Sequence, residues 1–232
     1  MTSGTSNLSK LRDRLFGVNL KGGKPERFGK IAAFFYRLCA EPALSALHGR
    51  IAAEVPVEEG RLLDVGCGPG RLTRAIAERR PRLLVTGIDV SADMIRQARR
   101  GPRLPNVVFR QGSPASFAVS GEFDFALSVL SFHHWEEPAE DLAGAHRALK
   151  TGGRLWIYEQ NPEASDAEIR ADSMPLFGIL PVPAALHRRL ARDHGFTKRE
   201  IDAVVAPLAE KTPFGALRLE RSGSTFRFEL QK

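Results

Sequence analysis

The segment Leu63-Asp64-Val65-Gly66-Cys67-Gly68-Pro69-Gly70 restricts the fold of this chain more than any other, because of what flanks it. Before it, Arg61 to Val65 is a short apolar run of strand character; after it, Arg71 to Arg80 has the apolar spacing of a helix. Glycines at a strand-to-helix turn allow positive φ and let a ligand lie against bare main chain. The first N–H groups of the following helix have no partner within it, so they favour a polar or anionic ligand. Strand, glycine loop and helix in that order predict a ligand-binding α/β unit.

The rest of the chain repeats the alternation. Leu83 to Asp89 is a second apolar run, and Ser91 stands where an N-cap would open the next helix around Met94. Val107 to Arg110, Phe123 to Val129 and Arg154 to Tyr158 continue the strands, with a helix from Pro138 to Lys150 and a turn at Gly152-Gly153 before the last of them. Parallel neighbours need crossovers, and those crossovers are helices. Further on, Ala185 to Asp193 and Thr197 to Leu208 read as helices, the second opened by a capping box of Thr197 with Glu200. Ala216 to Arg221 and Thr225 to Leu230 alternate apolar with charged residues around Ser222-Gly223-Ser224, as a hairpin does. The expected fold is α/β: a doubly wound, mainly parallel seven-stranded sheet with helices on both faces and a C-terminal antiparallel hairpin.

At 232 residues the chain is long enough for one core. Residues 1–27 are polar and basic and read as a mobile arm, and 28–232 as a single domain opened by two capping helices. The first of these runs through Ile31, Phe34, Phe35, Leu38 and Cys39, and the second, after Pro42, through Leu44, Leu47 and Ile51. The Phe34-Phe35-Tyr36 cluster is core or a cap over the site. No apolar run approaches the roughly 20 residues of a membrane span, and the first ten residues lack the apolar stretch of a secretory signal, so a cytoplasmic protein is expected. Cys39 and Cys67 lack the paired spacing of a metal site, so no metal is implied. The net charge of +7 leans on the stretch up to residue 37, where eight Lys and Arg face only Asp13 and Glu26. That excess is a solvated leader or a contact for an anionic partner.

Asp89 ends its strand about 20 residues beyond the glycine loop, where a carboxylate can accept from both hydroxyls of a ribose. A dinucleotide fingerprint would place its third glycine at position 71, but that residue is Arg71 and the glycine comes one place early at Gly70. Asp-x-Gly-x-Gly-x-Gly, from Asp64 to Gly70, resembles instead the class I S-adenosylmethionine-dependent methyltransferases, and the likeness extends from about Leu62 to Tyr158. The resemblance implies S-adenosylmethionine as cofactor. It places Gly66, Cys67, Gly68 and Gly70 beneath the methionyl part, Asp64 near the amino group and Asp89 on the ribose. Val90 and Met94 would pack around the adenine, and Val129 would border the cofactor from the fourth strand. Gly112-Ser113 stands where the family often has Gly-Asp, so the adenine amino group loses its usual acidic acceptor.

Methyl transfer from a sulfonium needs alignment and exclusion of water more than elaborate machinery. A protic acceptor also needs a base. His133 and His134 after the fourth strand, and Tyr158 and Glu159 at the end of the fifth, are the candidates, since ligands bind at the carboxyl ends of such strands. A packing role for the same residues stays open, above all for Tyr158. The apolar segment Met174 to Ala184 is a lid or a connector. The expected acceptor is a small molecule. An RNA or protein acceptor, or a cofactor-binding protein without catalysis, is the alternative, but only Gln160-Asn161-Pro162 faintly echoes a base-methylation motif. Oligomeric state has no signature in the sequence.

Overall fold

The computed structural model describes residues 44–117, 120–173 and 195–232. The basic arm, the helix from Phe28, the Phe34-Phe35-Tyr36 cluster, the segment Met174 to Ala184 and the helix from Ala185 to Asp193 lie outside the described residues.

Five strands run parallel: β1 (Glu59–Val65), β2 (Arg82–Asp89), β3 (Val107–Gln111), β4 (Phe123–Val129) and β5 (Leu149–Gln160). A hairpin of β6 (Arg218–Ser222) and β7 (Thr225–Gln231) completes a seven-stranded sheet of order β3-β2-β1-β4-β5-β7-β6, with β7 antiparallel to β5. Between the strands stand α1 (Ser45–Glu54, before β1), α2 (Arg71–Arg79), α3 (Ala92–Arg100), α4 (Pro138–Ala148) and α5 (Asp166–Asp172). The chain builds outward from β1 to β3 on one side and from β4 onward on the other, so the order reverses between β1 and β4. In open α/β sheets that reversal leaves a crevice at the carboxyl ends of the two strands.

Successive strand residues point to opposite faces, and each face has its own core. Leu62, Leu83, Val85, Phe125, Leu127, Trp156 and Tyr158 pack with Leu47 and Ile51 of α1 and Leu72 and Ile76 of α2. Leu63, Val65, Ala126, Leu155 and Ile157 pack on the other face with Leu142 and Ala145 of α4, Phe196, and Phe226 and Phe228 of the hairpin. Helices therefore cover both faces, as the alternation predicts. Among the described residues no helix is long and apolar enough to cross a membrane.

Three local features depart from the sequence reading. The helix expected up to Lys150 ends at Ala148, and β5 begins at Leu149, which pairs with Phe123 before the register shifts to Phe125 opposite Arg154. Gly152, at φ +77°, turns the chain inside that shift. The helix after Thr197 keeps its predicted capping box but is broken into α6 (Lys198–Glu200), a π-helical stretch (Ile201–Val205) and α7 (Ala206–Glu210). Pro207 cannot donate to the residue four back, and the widened turn, with the Ala206 N–H on the Ile201 carbonyl, accommodates it. Finally, α5 is opened by a second capping box, Ser165 with Glu168, that the sequence reading leaves unassigned.

Two arginines fasten α1. Arg80 donates to the Ala52 and Val55 carbonyls, both at 2.6 Å, occupying acceptors at the helix C-terminus. Arg50 grips Asp172 with Nε and Nη2 at 2.8 and 2.9 Å and reaches Glu54 at 2.8 Å, while its Nη2 also donates to the Ser222 carbonyl at 3.0 Å.

Candidate functional site

The carboxyl end of β1 opens into a cleft walled by Asp64, the glycine loop, Arg71 and Leu72 of α2, Val129 of β4 and His48 of α1. The loop is held from behind. Gly66 and Cys67 both donate their N–H to the Ile88 carbonyl, at 2.8 and 3.0 Å, and Gly68 donates to Asp89 Oδ2 at 2.9 Å. These donors are internal ties, so the polar groups left to a ligand are the start of α2 and the side chains of the walls. Gly70 caps α2 in the left-handed region with no side chain and no acid in the first turn. Gly66, at φ +71°, admits no Cβ, because Ser131 from the loop after β4 sits where that atom would be. The close approach brings the loops after β1 and β4 together.

Arg74 braces the loop further. Its guanidinium donates to the Pro69 and Gly70 carbonyls at 3.1 and 2.9 Å, to Pro102 at 2.9 Å and to Ala98, and it lies 5.0 Å from the centre of the Phe109 ring.

Two carboxylates lie beneath the cleft. Asp64 is buried and accepts from Thr73 Oγ1 at 2.6 Å. Burial raises its pKa to about 7, with the nearby Asp89 charge adding to the rise and the Thr73 hydrogen bond opposing it. Asp89 takes the Ser91 N–H on Oδ1 at 2.8 Å as well as Gly68 on Oδ2, so one side chain ties the glycine loop to the start of α3. Each of its oxygens has a further lone pair for a hydroxyl. Burial also pushes the Cys67 thiol up, which keeps it neutral.

Beyond Asp89, Ser91 caps α3 as expected, accepting from Met94 N–H at 3.3 Å; Met94 is buried, whereas Val90 is 69% exposed. Gly112 donates its N–H to the Asp89 carbonyl at 3.0 Å, which sets it next to that carboxylate in the chain fold. Ser113 is drawn into local bonds: its N–H reaches Ser116 Oγ at 2.9 Å and its hydroxyl bonds the Asp141 carboxylate.

The loop after β4 turns at Leu130, which at φ +51° is the only non-glycine residue with positive φ among the described residues. Its N–H is held by the Tyr158 carbonyl at 2.8 Å, and Phe132 to His134 follow as one turn of 3-10 helix. That turn sets His133 Nδ1 2.8 Å from Glu159 Oε2, and the His133 N–H 3.2 Å from Oε1. Glu159 is fully buried and His133 nearly so. The His134 ring lies 4.0 Å from that of His133, centre to centre. Tyr158 goes to the other face of the sheet, where its hydroxyl donates to Glu54 at 3.0 Å. Of the four candidates at the strand ends, the fold brings His133, His134 and Glu159 together and removes Tyr158 into the core.

Sequence reasoning missed His48 and Thr73. His48 lies on a helix before β1, and nothing in its local pattern points to the cleft. Thr73 had a signal, since it stands one helical turn beyond the glycine loop and a buried acid there needs a donor.

A family model for a methyltransferase domain matches residues 62–153, a stretch that holds the glycine loop, Asp89 and the His133 turn. That stretch is thus similar to the class I S-adenosylmethionine-dependent methyltransferases that the glycine motif resembles. Trans-aconitate 2-methyltransferase of Rhodopseudomonas palustris (strain BisB5) is 37% identical over 117 residues, which cover 50% of this chain and 44% of that protein. The chain thus matches less than half of that relative's length. Two solved structures share the fold. A SAM-dependent methyltransferase from Aquifex aeolicus superposes with a TM-score of 0.56 at 20% identity, covering 88% of this chain and 98% of its own. The plantazolicin methyltransferase BpumL, solved with SAH, gives 0.60 at 16% identity over 97% and 95%.

S-adenosylmethionine is the methyltransferases' cofactor, and the cleft residues fit it. At Gly68 the place of a Cβ is open space, Asp89 keeps acceptor capacity for hydroxyls, and the His48 Nδ1 is a buried polar atom with no hydrogen-bond partner among the described residues.

Proposed function

We propose that this methyltransferase carries a methyl group from S-adenosylmethionine to a small-molecule acceptor that loses a proton in the reaction. When bound, the cofactor supplies a methyl carbon made electrophilic by its sulfonium, with a neutral thioether as leaving group. The chain's own part is to hold, align and deprotonate. Asp89 takes the ribose hydroxyls, Asp64 lies by the amino group, Val90 and Met94 flank the adenine, and Val129 closes the side toward β4. Gly112 and Ser113 border the adenine edge, where the serine leaves the amino group to backbone or water.

The observation that carries the proposal is the buried His133–Glu159 pair at 2.8 Å, set at the carboxyl ends of β4 and β5, the end of the sheet at which the cleft opens. With Nδ1–H donating to Glu159, the imidazole keeps its lone pair on Nε2 and its orientation is fixed, which is how a carboxylate prepares a histidine to take a proton. The His134 ring lies beside it, tilted by 48°. In-line displacement then needs only an acceptor hydroxyl or amine placed between the His133 ring and the methyl carbon. The name of one relative, trans-aconitate 2-methyltransferase, agrees with a small acceptor.

Incubation with methyl-labelled S-adenosylmethionine and separate panels of hydroxy acids, phenols, amines and thiols, with total tRNA as a further arm, tests the proposal. Label in a hydroxyl or amine acceptor supports it. Label only in RNA, or cofactor binding with transfer to none of the panels, overturns it.

A further inference from the structure

We infer that His48, together with Arg71, receives the carboxylate of the cofactor's amino-acid end. The inference rests on S-adenosylmethionine being the ligand of this cleft, and it concerns a wall of the cleft that the glycine motif does not supply.

His48 lies between Leu47 and Ile51, which bury one side of α1 in the core, and it lines the cleft beside Gly66, Gly68 and Arg71. Its helix is fixed at the end by Arg80 and along its flank by Arg50, so the ring has little freedom to leave the cleft. Its Nδ1 is buried and has no hydrogen-bond partner among the described residues. Buried polar atoms in folded proteins are almost always paired, and an orphan on the wall of a ligand cleft marks where a ligand atom belongs. Burial, reinforced by the Arg71 charge, lowers the ring's pKa to about 4. The imidazole is therefore neutral near pH 7, a poor proton acceptor, and suited to offering one N–H.

The charge around the cleft settles which ligand group meets it. Arg71 stands at the first position of α2, whose first turn holds no acid, so this wall is electropositive. Asp64, which lines the same cleft, and Asp89 beneath the glycine loop supply the acidic groups. An amino-acid terminus carries both charges within a few bonds. Laid along this gradient, its ammonium falls toward Asp64 and its carboxylate toward His48 and Arg71. The nucleoside end is excluded from the His48 wall, because the acceptor for ribose hydroxyls and the apolar residues beyond it follow β2.

Calorimetric titration with two probes separates this role from a structural one: S-adenosylhomocysteine, which has the amino-acid end, and 5′-methylthioadenosine, which lacks it. For the wild type, S-adenosylhomocysteine binds more tightly. His48→Ala weakens S-adenosylhomocysteine by about tenfold, the loss of one hydrogen bond, and leaves 5′-methylthioadenosine within about twofold. His48→Gln, whose amide can donate, recovers most of the loss, and a melting curve for each variant reports the fold. Equal weakening of both probes, or of neither, overturns the inference. Wild-type protein that binds both probes equally well also overturns it while leaving the cofactor in place, whereas wild-type protein that binds neither removes the cofactor itself.

Discussion

Thr73 Oγ1 donates to Asp64 Oδ2 at 2.6 Å beneath the glycine loop, with both residues buried. The hydroxyl does not restore the solvation that the carboxylate has lost, so burial leaves the Asp64 pKa at about 7. Because the folded-state value lies above that of the unfolded chain, the native protein binds a proton more tightly, and ionised Asp64 works against the fold. That penalty is complete above pH 7 and is relieved as the pH falls toward 4. Asp64→Asn should therefore raise the unfolding free energy at pH 8 by on the order of 2 kcal/mol while weakening S-adenosylhomocysteine. Paired denaturant melts and titrations check both arms.

For the wild type, cofactor affinity should rise with pH through 7, because a ligand ammonium favours the ionised carboxylate. Titration below pH 7 in buffers of different ionisation enthalpy should show a proton released on binding. Constant affinity from pH 6 to 8 would separate Asp64 from the amino group.

Asp89 does two things at once, since it ties Gly68 to Ser91 and is the acceptor assigned to the ribose. Asp89→Ala should weaken S-adenosylhomocysteine by about 30-fold, roughly 2 kcal/mol, and Asp89→Asn by less, because the amide oxygen still accepts. Binding unchanged in the alanine variant would refute the assignment.

The His133–Glu159 pair predicts a different signature. Glu159→Gln and His133→Asn should each lower the rate of methyl transfer by on the order of 10²-fold and shift cofactor affinity by less than about threefold. Single-turnover rates and binding isotherms on the same preparations distinguish this from a packing role, in which melting temperature falls and the transfer rate of the folded fraction is unchanged.

Burial works against the ionised form of Asp172, but hydrogen bonds from Arg50 and Ser224 outweigh it and hold the carboxyl below its ordinary value. Its contribution to stability is thus present above the unfolded-state pKa and disappears as the pH falls through the lower native value. Asp172→Asn should cost about 2–3 kcal/mol at pH 7, and the gap from the wild type should narrow in acid. Urea unfolding at pH 7 and pH 3 measures it.

The sheet was legible because parallel strands covered on both faces read as short apolar runs, and because Gly66 to Gly70, the Ser91 cap and the Thr197 box punctuate them locally. The places of Asp64 and Asp89 near the ends of β1 and β2 were legible for the same reason, being fixed within one βαβ unit. His48, Arg50 and Glu54 were not. Their places depend on which side of α1 faces β1, β5 and the hairpin, contacts made up to 173 residues away, and no local period encodes that choice. Tyr158 and Glu159 show the limit within a single strand: both were candidates, Tyr158 the more open to a packing role, and the pleat sends one to Glu54 and the other to His133.

The position of β7 between β5 and β6 bears on how the protein is made. When β5 leaves the ribosome its partner β4 is already present, but the other side of β5 stays unpaired until β7 has been synthesised. During that interval β5 presents open backbone groups and the apolar side chains of Leu155 and Ile157, and β6 gives it no cover, since β6 pairs only with β7. A nascent chain halted before Thr225 is thus a half-built sheet with an adhesive edge.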